Sequence, residues 1–297
     1  MLDKTILQNY VQMTESALQK YLEVPNTSYS KIIEAMGYAA LDGGKRIRAV
    51  LVLAFADLIA GNSVKAIPFA SALEMIHAYS LVHDDLPCMD DDDMRRGKPS
   101  CHIAYGEWMA LLAGDGLLTK AFETILSENE LSFQQRADGA LALAKAAGAD
   151  GMIAGQVLDL TPGDPVATTD DALARIRSVN DKKTGELIMV AARLGCIAAQ
   201  ASAKDTENAV RYAKLIGEAF QVADDILDVE GEPELLGKPI GSDAENNKIN
   251  YVTVFGMEKA KKYVNELTEQ AIAAVDAIDG DTQFLKDLAV YLAERKK

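Results

Sequence analysis

The chain has 297 residues, of which 49% are hydrophobic, and a formal net charge of −15. The apolar fraction is enough for a sizeable core and excludes a disordered chain, and the negative charge argues against a nucleic-acid-binding surface. The N-terminus, MLDKTILQNY, does not predict a signal peptide, and no run of about 18 apolar residues predicts a membrane span. The three cysteines match no zinc-site spacing and fit a reducing compartment, so we expect a cytoplasmic protein.

Apolar residues recur at helical spacing along nearly the whole chain, which predicts an all-α fold. The predicted helices cover residues 5–22, 29–41, 45–60, 67–85, 106–128, 132–148, 151–160, 171–200 and 205–230, followed by two or three at the C-terminal end. Loops are predicted at 42–44, 162–165 and 236–250. Because no strand alternation, repeat or linker is found, we expect a single domain over residues 1–297, a bundle of ten or more helices.

The stretch from His77 to His102 contains six aspartates, directly after an apolar helical run. Pro87 disturbs the helix, so Asp90 can join Asp84 only if the chain turns after Asp85. We predict Asp84 and Asp90 as metal ligands, whereas Asp91, Asp92 and Asp93 could equally be solvated residues that cap the next segment.

A second acidic cluster lies between Gln221 and Gly231. On a helix, Asp224, Asp225 and Asp228 would crowd an arc of about 100°. Crowded carboxylates repel one another unless they share cations, and oxygen ligands of this kind suit Mg²⁺. We therefore predict that the two acidic clusters face each other across a magnesium site.

Basic residues accompany both clusters. Lys45 and Arg48 are three residues apart at a predicted helix start behind Gly43-Gly44, so we expect them to share a helix face. There they suggest a grip on phosphate, although a solvated basic cap would have the same pattern. Arg95 and Arg96 are adjacent, so their side chains should diverge toward two different anions. The further cations that could bind phosphate are Lys183, Lys238 and Lys248.

Other chemistries fit poorly. There is no GxxxxGK[ST] sequence, no Ser/His/Asp or Cys/His arrangement, and no EF-hand spacing in the acidic run. Metal-assisted departure of a diphosphate remains, with fixed cations stabilising the charge that develops on the leaving group.

At these residues the chain resembles the trans-isoprenyl diphosphate synthase family. The resemblance rests on DDLPCMD at Asp84 and DDILD at Asp224, together with GGKRIR, HAYSLVHDD, MRRGKPSCH, GQVLDL, KTG and LGKPIGSD, in the family's order over almost the entire chain. More narrowly, it resembles the bacterial farnesyl diphosphate synthases. It implies an isoprenoid-synthase-type helical bundle around a central cavity, usually a homodimer, with three Mg²⁺ ions per active site.

The resemblance also implies residue roles. Isopentenyl diphosphate would be bound by Lys45, Arg48, His77 and Arg96. The allylic diphosphate would be bound by Arg95, Lys183, Thr184, Gln221, Lys238 and Lys248. Mg²⁺ would be held by Asp84, Asp85, Asp90, Asp224, Asp225 and Asp228. The implied reaction is ionisation, condensation and elimination, with the released diphosphate as the base.

Product length is predicted from Tyr79, which lies five residues before Asp84 and so about 7.5 Å along the helix axis, with Ser80 beside it. In the family, an aromatic residue at this position typically limits the product to fifteen carbons; Tyr79 could instead be ordinary core. After Lys248 the family usually has Thr-Tyr-Pro, whereas this chain has Asn250, Tyr251 and Val252.

Four other functions compete with this prediction. Geranylgeranyl diphosphate synthase is the main alternative. A non-catalytic subunit of a heteromeric synthase should have lost a metal motif, and both motifs are present. A metal phosphohydrolase using the pair His83-Asp84 would need a further upstream histidine. A terpene cyclase has no need of the second diphosphate site at Lys45, Arg48 and Arg96.

Overall fold

The computed structural model describes residues 1–41, 43–161, 168–230 and 250–294, and these are almost entirely helical. The helices are α1 (Lys4–Tyr21), α2 (Ser30–Ala40), α3 (Ile47–Ala60), α4 (Ile67–Asp84), α5 (Cys101–Tyr105), α6 (Glu107–Leu126), α7 (Phe133–Ala147), α8 (Met152–Leu160), α9 (Thr169–Asn180), α10 (Glu186–Ala199), α11 (Ala203–Glu230), α12 (Tyr251–Phe255), α13 (Met257–Val275) and α14 (Gln283–Ala293). The all-α prediction, with more than ten helices, is thus confirmed. None of the helices in the described ranges is long and apolar enough to cross a membrane.

Four local features depart from the predicted elements. A two-stranded antiparallel hairpin, β1 (Met94–Arg95) with β2 (Lys98–Pro99), was not predicted, nor was the short helix α5. One turn of π-helix, Asp181–Gly185, joins α9 to α10 within the predicted helix 171–200. Helix α3 begins at Ile47 rather than Lys45.

The contacts divide the chain into two compact units. The first unit consists of Lys4–Leu143 and Leu194–Ala201, and the second of Met1–Asp3, Ala144–Arg193 and Ser202–Lys297. The first acidic motif lies in the first unit, and the second acidic motif lies in the second unit. The single domain and the facing of the two motifs stay predictions.

In the first unit, α4 packs against both α3 and α6. The side chains of Ala49–Ala56 in α3 are all buried, and so are most of the side chains of α4. Neither helix therefore presents a broad polar face. A helix that is apolar all round belongs in the core. The C-terminal end of α4, which carries Asp84, is therefore anchored by its buried body.

In the second unit, α11 lies along α13, and α12 packs against both. Their shared core includes Val222 of α11, Tyr251 of α12 and Leu267 of α13. This packing fixes the last turns of α11, which carry the second acidic motif.

The three cysteines differ in exposure. Cys88, inside the first acidic motif, is exposed, whereas Cys101 and Cys196 are buried. Burial and the negative charge of Asp85 raise the pKa of the Cys101 thiol to about 11.

Candidate active site

The first acidic motif begins where α4 ends. After Asp84 the chain turns, and the backbone N–H of Asp90 donates to the carbonyl oxygen of Asp84 at 2.9 Å. This is the turn that the sequence predicts after Asp85. It brings the backbones of Asp84 and Asp90 together, with Asp84 half-buried and Asp90 exposed.

Asp85 is engaged by Arg95. The Asp85 side chain is only 3% exposed, and the Arg95 guanidinium donates to it from Nε at 2.9 Å and from Nη2. Nη2 also donates to Asp92 at 3.0 Å. Burial raises the pKa of Asp85, although Arg95 opposes that shift. Asp85 and Arg95 are thus paired with each other in this structure. The binding of metal by Asp85 and of diphosphate by Arg95 stay predictions.

The hairpin places Arg95 and Arg96. Arg96 and Gly97, the two residues between its strands, have φ of 53° and 80°, as a two-residue hairpin turn of type I′ requires. Arg96 Nη1 donates to the carbonyl oxygen of Gly43 at 3.1 Å. A Cβ on Gly44 would lie 3.2 Å from the guanidinium carbon of Arg96, so the glycine lets Arg96 approach the backbone closely. Arg95 and Arg96 thus have different hydrogen-bond partners, and the two anions predicted for them stay predictions.

Arg48, His77 and Arg96 lie close enough for their charges to interact, and this group is named the cationic pocket. Arg48 Nε is buried and has no hydrogen-bond partner among the described residues. Burial lowers the pKa of Arg48, and the charge of Arg96 lowers it further against the opposing charge of Glu74. Burial, then the charges of Arg48 and Arg96, hold the pKa of His77 well below its ordinary value of 6.5. An anion would relieve this repulsion and satisfy Nε.

Lys45 and Arg48 are not related as predicted. Arg46 is the N-cap of α3 with a left-handed φ of 50°, so Lys45 precedes the helix, and the expectation that Lys45 and Arg48 share a helix face is wrong. Lys45 is exposed.

Arg46 and Glu74 were missed by the sequence analysis. Arg46 is buried and donates to Glu74 at 3.1 Å and to Glu15 at 3.0 Å. Glu74 also accepts the backbone N–H of Ala49 at 3.2 Å. A carboxylate of the protein therefore already occupies part of the α3 start that was predicted to attract phosphate. The sequence contained one indication of this buried ion pair, because Glu74 is an acidic residue inside the apolar run of α4.

The second acidic motif lies on an unbroken helix, as predicted. Asp224 and Asp228 are one turn apart on α11 and so share a side. Asp225 Oδ2 accepts the backbone N–H of Tyr251 at 2.7 Å. Gln221, one turn before Asp225, is half-buried.

Lys183 and Thr184 lie in the π-turn, a feature that recurs at functional sites. Lys183 Nζ donates to Asp159 of α8 at 2.6 Å. A Cβ on Gly155 would lie 2.1 Å from the backbone nitrogen of Lys183, so the glycine permits close contact between α8 and this turn. The predicted diphosphate ligands Lys238 and Lys248 lie outside the described residues.

Tyr79 is buried one turn before Asp84 and His83. Burial raises its pKa, as does the charge of Asp84, and its ring meets His83 edge to face at 5.8 Å. His83 Nε2 lies 3.0 Å from the carbonyl oxygen of Leu111, so this imidazole is engaged with α6. Ser80 donates its hydroxyl to the carbonyl oxygen of His77 at 2.9 Å.

The carboxylates fit magnesium only together with a bound ligand. No three His, Cys, Asp or Glu side chains within the described ranges converge closely enough to hold a metal ion alone. Mg²⁺ in proteins usually takes one or two carboxylates and completes its shell with phosphate and water. The oxygen donors of Asp84 and Asp90, and of Asp224 and Asp228, are the right chemical type for such a site.

Residues 30–285 match the family model described as polyprenyl synthetase. A farnesyl diphosphate synthase from Micrococcus luteus is 41% identical over 285 residues, covering 96% of this chain and 95% of the relative. Geranylgeranyl pyrophosphate synthase 7, chloroplastic, from Arabidopsis thaliana is 42% identical over 267 residues, covering 90% and 77%.

The fold comparison agrees. The crystal structure of an FPP/GFPP synthase from Zymomonas mobilis superposes with a TM-score of 0.85 at 34% identity, and the match covers 98% of each chain. This chain accordingly has the all-α isoprenoid synthase fold. It belongs to the polyprenyl synthetase family and is a trans-prenyl diphosphate synthase, a prenyltransferase of isoprenoid biosynthesis.

Proposed function

We propose that the chain is a farnesyl diphosphate synthase, which condenses isopentenyl diphosphate with dimethylallyl diphosphate and then with geranyl diphosphate. The observation that carries the proposal is the cationic pocket, where the buried Arg48 Nε has no hydrogen-bond partner among the described residues. This pocket provides an anion site distinct in chemistry from the acidic, metal-type motif. An enzyme that joins two diphosphate substrates requires both kinds of site.

In this proposal the cationic pocket, together with Lys45, binds the diphosphate of isopentenyl diphosphate. Arg48 and Arg96 supply positive charge and N–H donors, which suit phosphate oxygens. His77 is neutral near pH 7 because its pKa is low, so one ring nitrogen donates a hydrogen bond without adding charge. Holding this substrate in place makes its double bond available to the allylic partner.

Arg95, Lys183, Thr184 and Gln221, with Lys238 and Lys248, are assigned to the allylic diphosphate through the resemblance. Polyprenyl synthetases depend on magnesium as a family, and the ions, three per site in our proposal, would be held by Asp84, Asp85, Asp90, Asp224, Asp225 and Asp228. When bound, Mg²⁺ acts as a Lewis acid that favours departure of the diphosphate. The cationic side chains stabilise the negative charge on that leaving group.

The proposed reaction needs no basic side chain from the protein. The carbon–oxygen bond of the allylic diphosphate breaks, and the alkene of isopentenyl diphosphate forms a new carbon–carbon bond to the allylic cation. A proton then leaves the condensed cation for the released diphosphate. Oxygens of Thr184 and Gln221 would steady the cation before the new bond forms.

Tyr79 supports a fifteen-carbon product. Its ring is buried behind Asp84, on the helix along which a growing hydrocarbon tail would run. We expect Tyr79→Ala to lengthen the products, measured by chromatography, and an unchanged product length would remove Tyr79 from this role. Relatives of nearly equal identity include farnesyl and geranylgeranyl synthases, so identity alone does not select the product.

The test is incubation with isopentenyl diphosphate, Mg²⁺ and either dimethylallyl or geranyl diphosphate, with the products sized. Farnesyl diphosphate should dominate from both starters. Predominant geranylgeranyl diphosphate would favour the main alternative, and no turnover would favour a non-catalytic subunit. Asp84→Ala and Asp224→Ala should each abolish most turnover while circular dichroism shows unchanged helix content.

We further propose that the protein acts as a cytoplasmic homodimer. The homodimer follows from the resemblance, and the cytoplasmic location from the cysteine pattern, which fits a reducing compartment.

A further inference from the structure

Glu218 of α11 is the centre of a polar cluster in the second unit. Its Oε1 accepts a hydrogen bond from Tyr263 Oη at 2.6 Å, from Arg177 Nε at 3.2 Å and from Tyr251 Oη at 3.3 Å. Arg177 Nη2 also donates to Tyr263 Oη at 2.9 Å. One carboxylate thus ties together α9, α11, α12 and α13.

The carboxylate at the centre of the cluster is largely shielded from water, whereas the Arg177 side chain is 45% exposed. The Glu218 side chain is 12% exposed, and Tyr251 is fully buried. Burial, and then the hydrogen bond and charge of Glu218, raise the pKa of Tyr263 to about 12. Apolar side chains could join these helices without desolvating a carboxylate. A polar cluster here is better explained by a need for fixed orientation than by stability alone.

Tyr251 connects this cluster to the second acidic motif. Its backbone N–H donates to Asp225 Oδ2 at 2.7 Å, while its hydroxyl donates to Glu218. Glu218 and Asp225 are seven residues apart, which is about two turns, so they lie on the same side of α11. Tyr251 therefore spans two turns of α11 and is held at both ends.

The contact with Tyr251 restricts Asp225. With Oδ2 bound to a backbone N–H whose position is set by Glu218, the carboxylate cannot rotate freely. Outer residues that hold a metal-site carboxylate in this way influence metal affinity although they never touch the metal.

We infer that Glu218 is a positioning residue which, through Tyr251, holds the carboxylate of Asp225 in the orientation that the magnesium–diphosphate ligand needs. The inference rests on the proposed function, because it takes Asp225 as part of that site. Glu218 does not touch substrate in this scheme; it acts through Tyr251.

The test compares Glu218→Gln with Glu230→Gln. Glu230 pairs with Lys261 at 2.9 Å, so it also links α11 to α13, but both side chains are more than 40% exposed. Each protein is titrated with Mg²⁺ in the presence of inorganic pyrophosphate by calorimetry. Isopentenyl diphosphate is titrated separately without metal.

We expect Glu218→Gln to weaken magnesium binding about tenfold, the usual size of an outer-residue effect, with isopentenyl diphosphate affinity unchanged. Glu230→Gln should match wild type in both titrations. A role in stability alone would lower the unfolding midpoint without separating the two affinities. Magnesium binding by Glu218→Gln within twofold of wild type would overturn the inference.

A second variant keeps the test valid if Glu218→Gln does not fold. Tyr251→Phe removes only the hydroxyl group and should weaken magnesium binding about threefold, as expected for one hydrogen bond; wild-type affinity in this variant would also overturn the inference. Failure of the wild-type protein itself to bind Mg²⁺ with pyrophosphate would overturn the proposed function, and with it this inference. The two failures are therefore distinguishable.

Discussion

Arg46 shows how two residues of one basic motif can have opposite environments. Lys45 is exposed, whereas Arg46 is 5% exposed and paired with Glu74, which is 2% exposed. Sequence alone does not separate them, because both carry the same charge in adjacent positions. The left-handed backbone of Arg46 turns its side chain into the first unit.

Replacing Arg46 with methionine should lower the free energy of unfolding by about 3–5 kcal/mol, because Glu74 would be left buried without its cation. Urea denaturation measures the effect. Lys120→Met is the control, since Lys120 pairs with the exposed Glu123 and should cost less than about 1 kcal/mol. Equal losses in the two variants would contradict the assignment of a buried ion pair.

Gly114 of α6 should influence product length through His83. A Cβ at Gly114 would lie 2.1 Å from His83 Nε2, so Gly114→Ala must displace the imidazole, which packs against Tyr79. We expect the tail space to shorten and the share of geranyl diphosphate to rise, measured by chromatography. Gly116→Ala is the control, because its Cβ would meet only the flexible side chain of Met36. The same product ratio in both variants would contradict the role of His83.

At the scale of elements, the long helices were predictable because their apolar periodicity is strong. The hairpin was not, since strands of two residues are too short to show alternation, and its turn is Arg96-Gly97 rather than the commoner Asn-Gly. The π-turn was missed because one extra residue per turn leaves the apolar pattern almost unchanged. The approach of Asp84 and Asp90 was predictable, because it needs only a local turn of the chain. The pairing of Lys183 with Asp159 was not, because it depends on a contact between segments that are far apart in the sequence.

The contact of α8 with the π-turn should not tolerate a side chain at Gly155. Its Cβ would meet the backbone of Lys183, which cannot move aside as a flexible side chain can. Gly155→Ala should therefore destabilise the fold by about 1–3 kcal/mol, measured by urea denaturation. Gly37→Ala is the control: its Cβ would make an ordinary contact at 3.6 Å, and loss of unfolded-state entropy should stabilise by about 0.4–1 kcal/mol. A neutral Gly155→Ala would refute the close approach.

At the scale of the whole molecule, α6 carries an exposed apolar stripe. Trp108, Leu111 and Leu112 are 65%, 47% and 48% exposed, and their spacing places them along one side of the helix. Stripes of this kind commonly mark a protein–protein contact. It offers a surface for the homodimer predicted from the family resemblance.

If the predicted homodimer uses this stripe, Leu112→Glu should convert it into a monomer, because the substitution places a charge in the apolar stripe. Light scattering after size-exclusion chromatography gives the mass directly. Val64→Glu serves as the control, since Val64 is also exposed but lies outside α6. A Leu112→Glu protein that stays dimeric would exclude this stripe as the interface.

The unequal exposure of the cysteines makes the native protein a substrate for selective thiol labelling. Cys88 lies between the aspartates of the first motif, while the other two thiols are buried and the pKa of Cys101 is raised. At neutral pH, one equivalent of maleimide should react with the folded protein and three with the denatured protein, as counted by mass spectrometry. A fluorophore attached at Cys88 would then report directly on the arrival of ligands at the acidic motif, without any engineered cysteine.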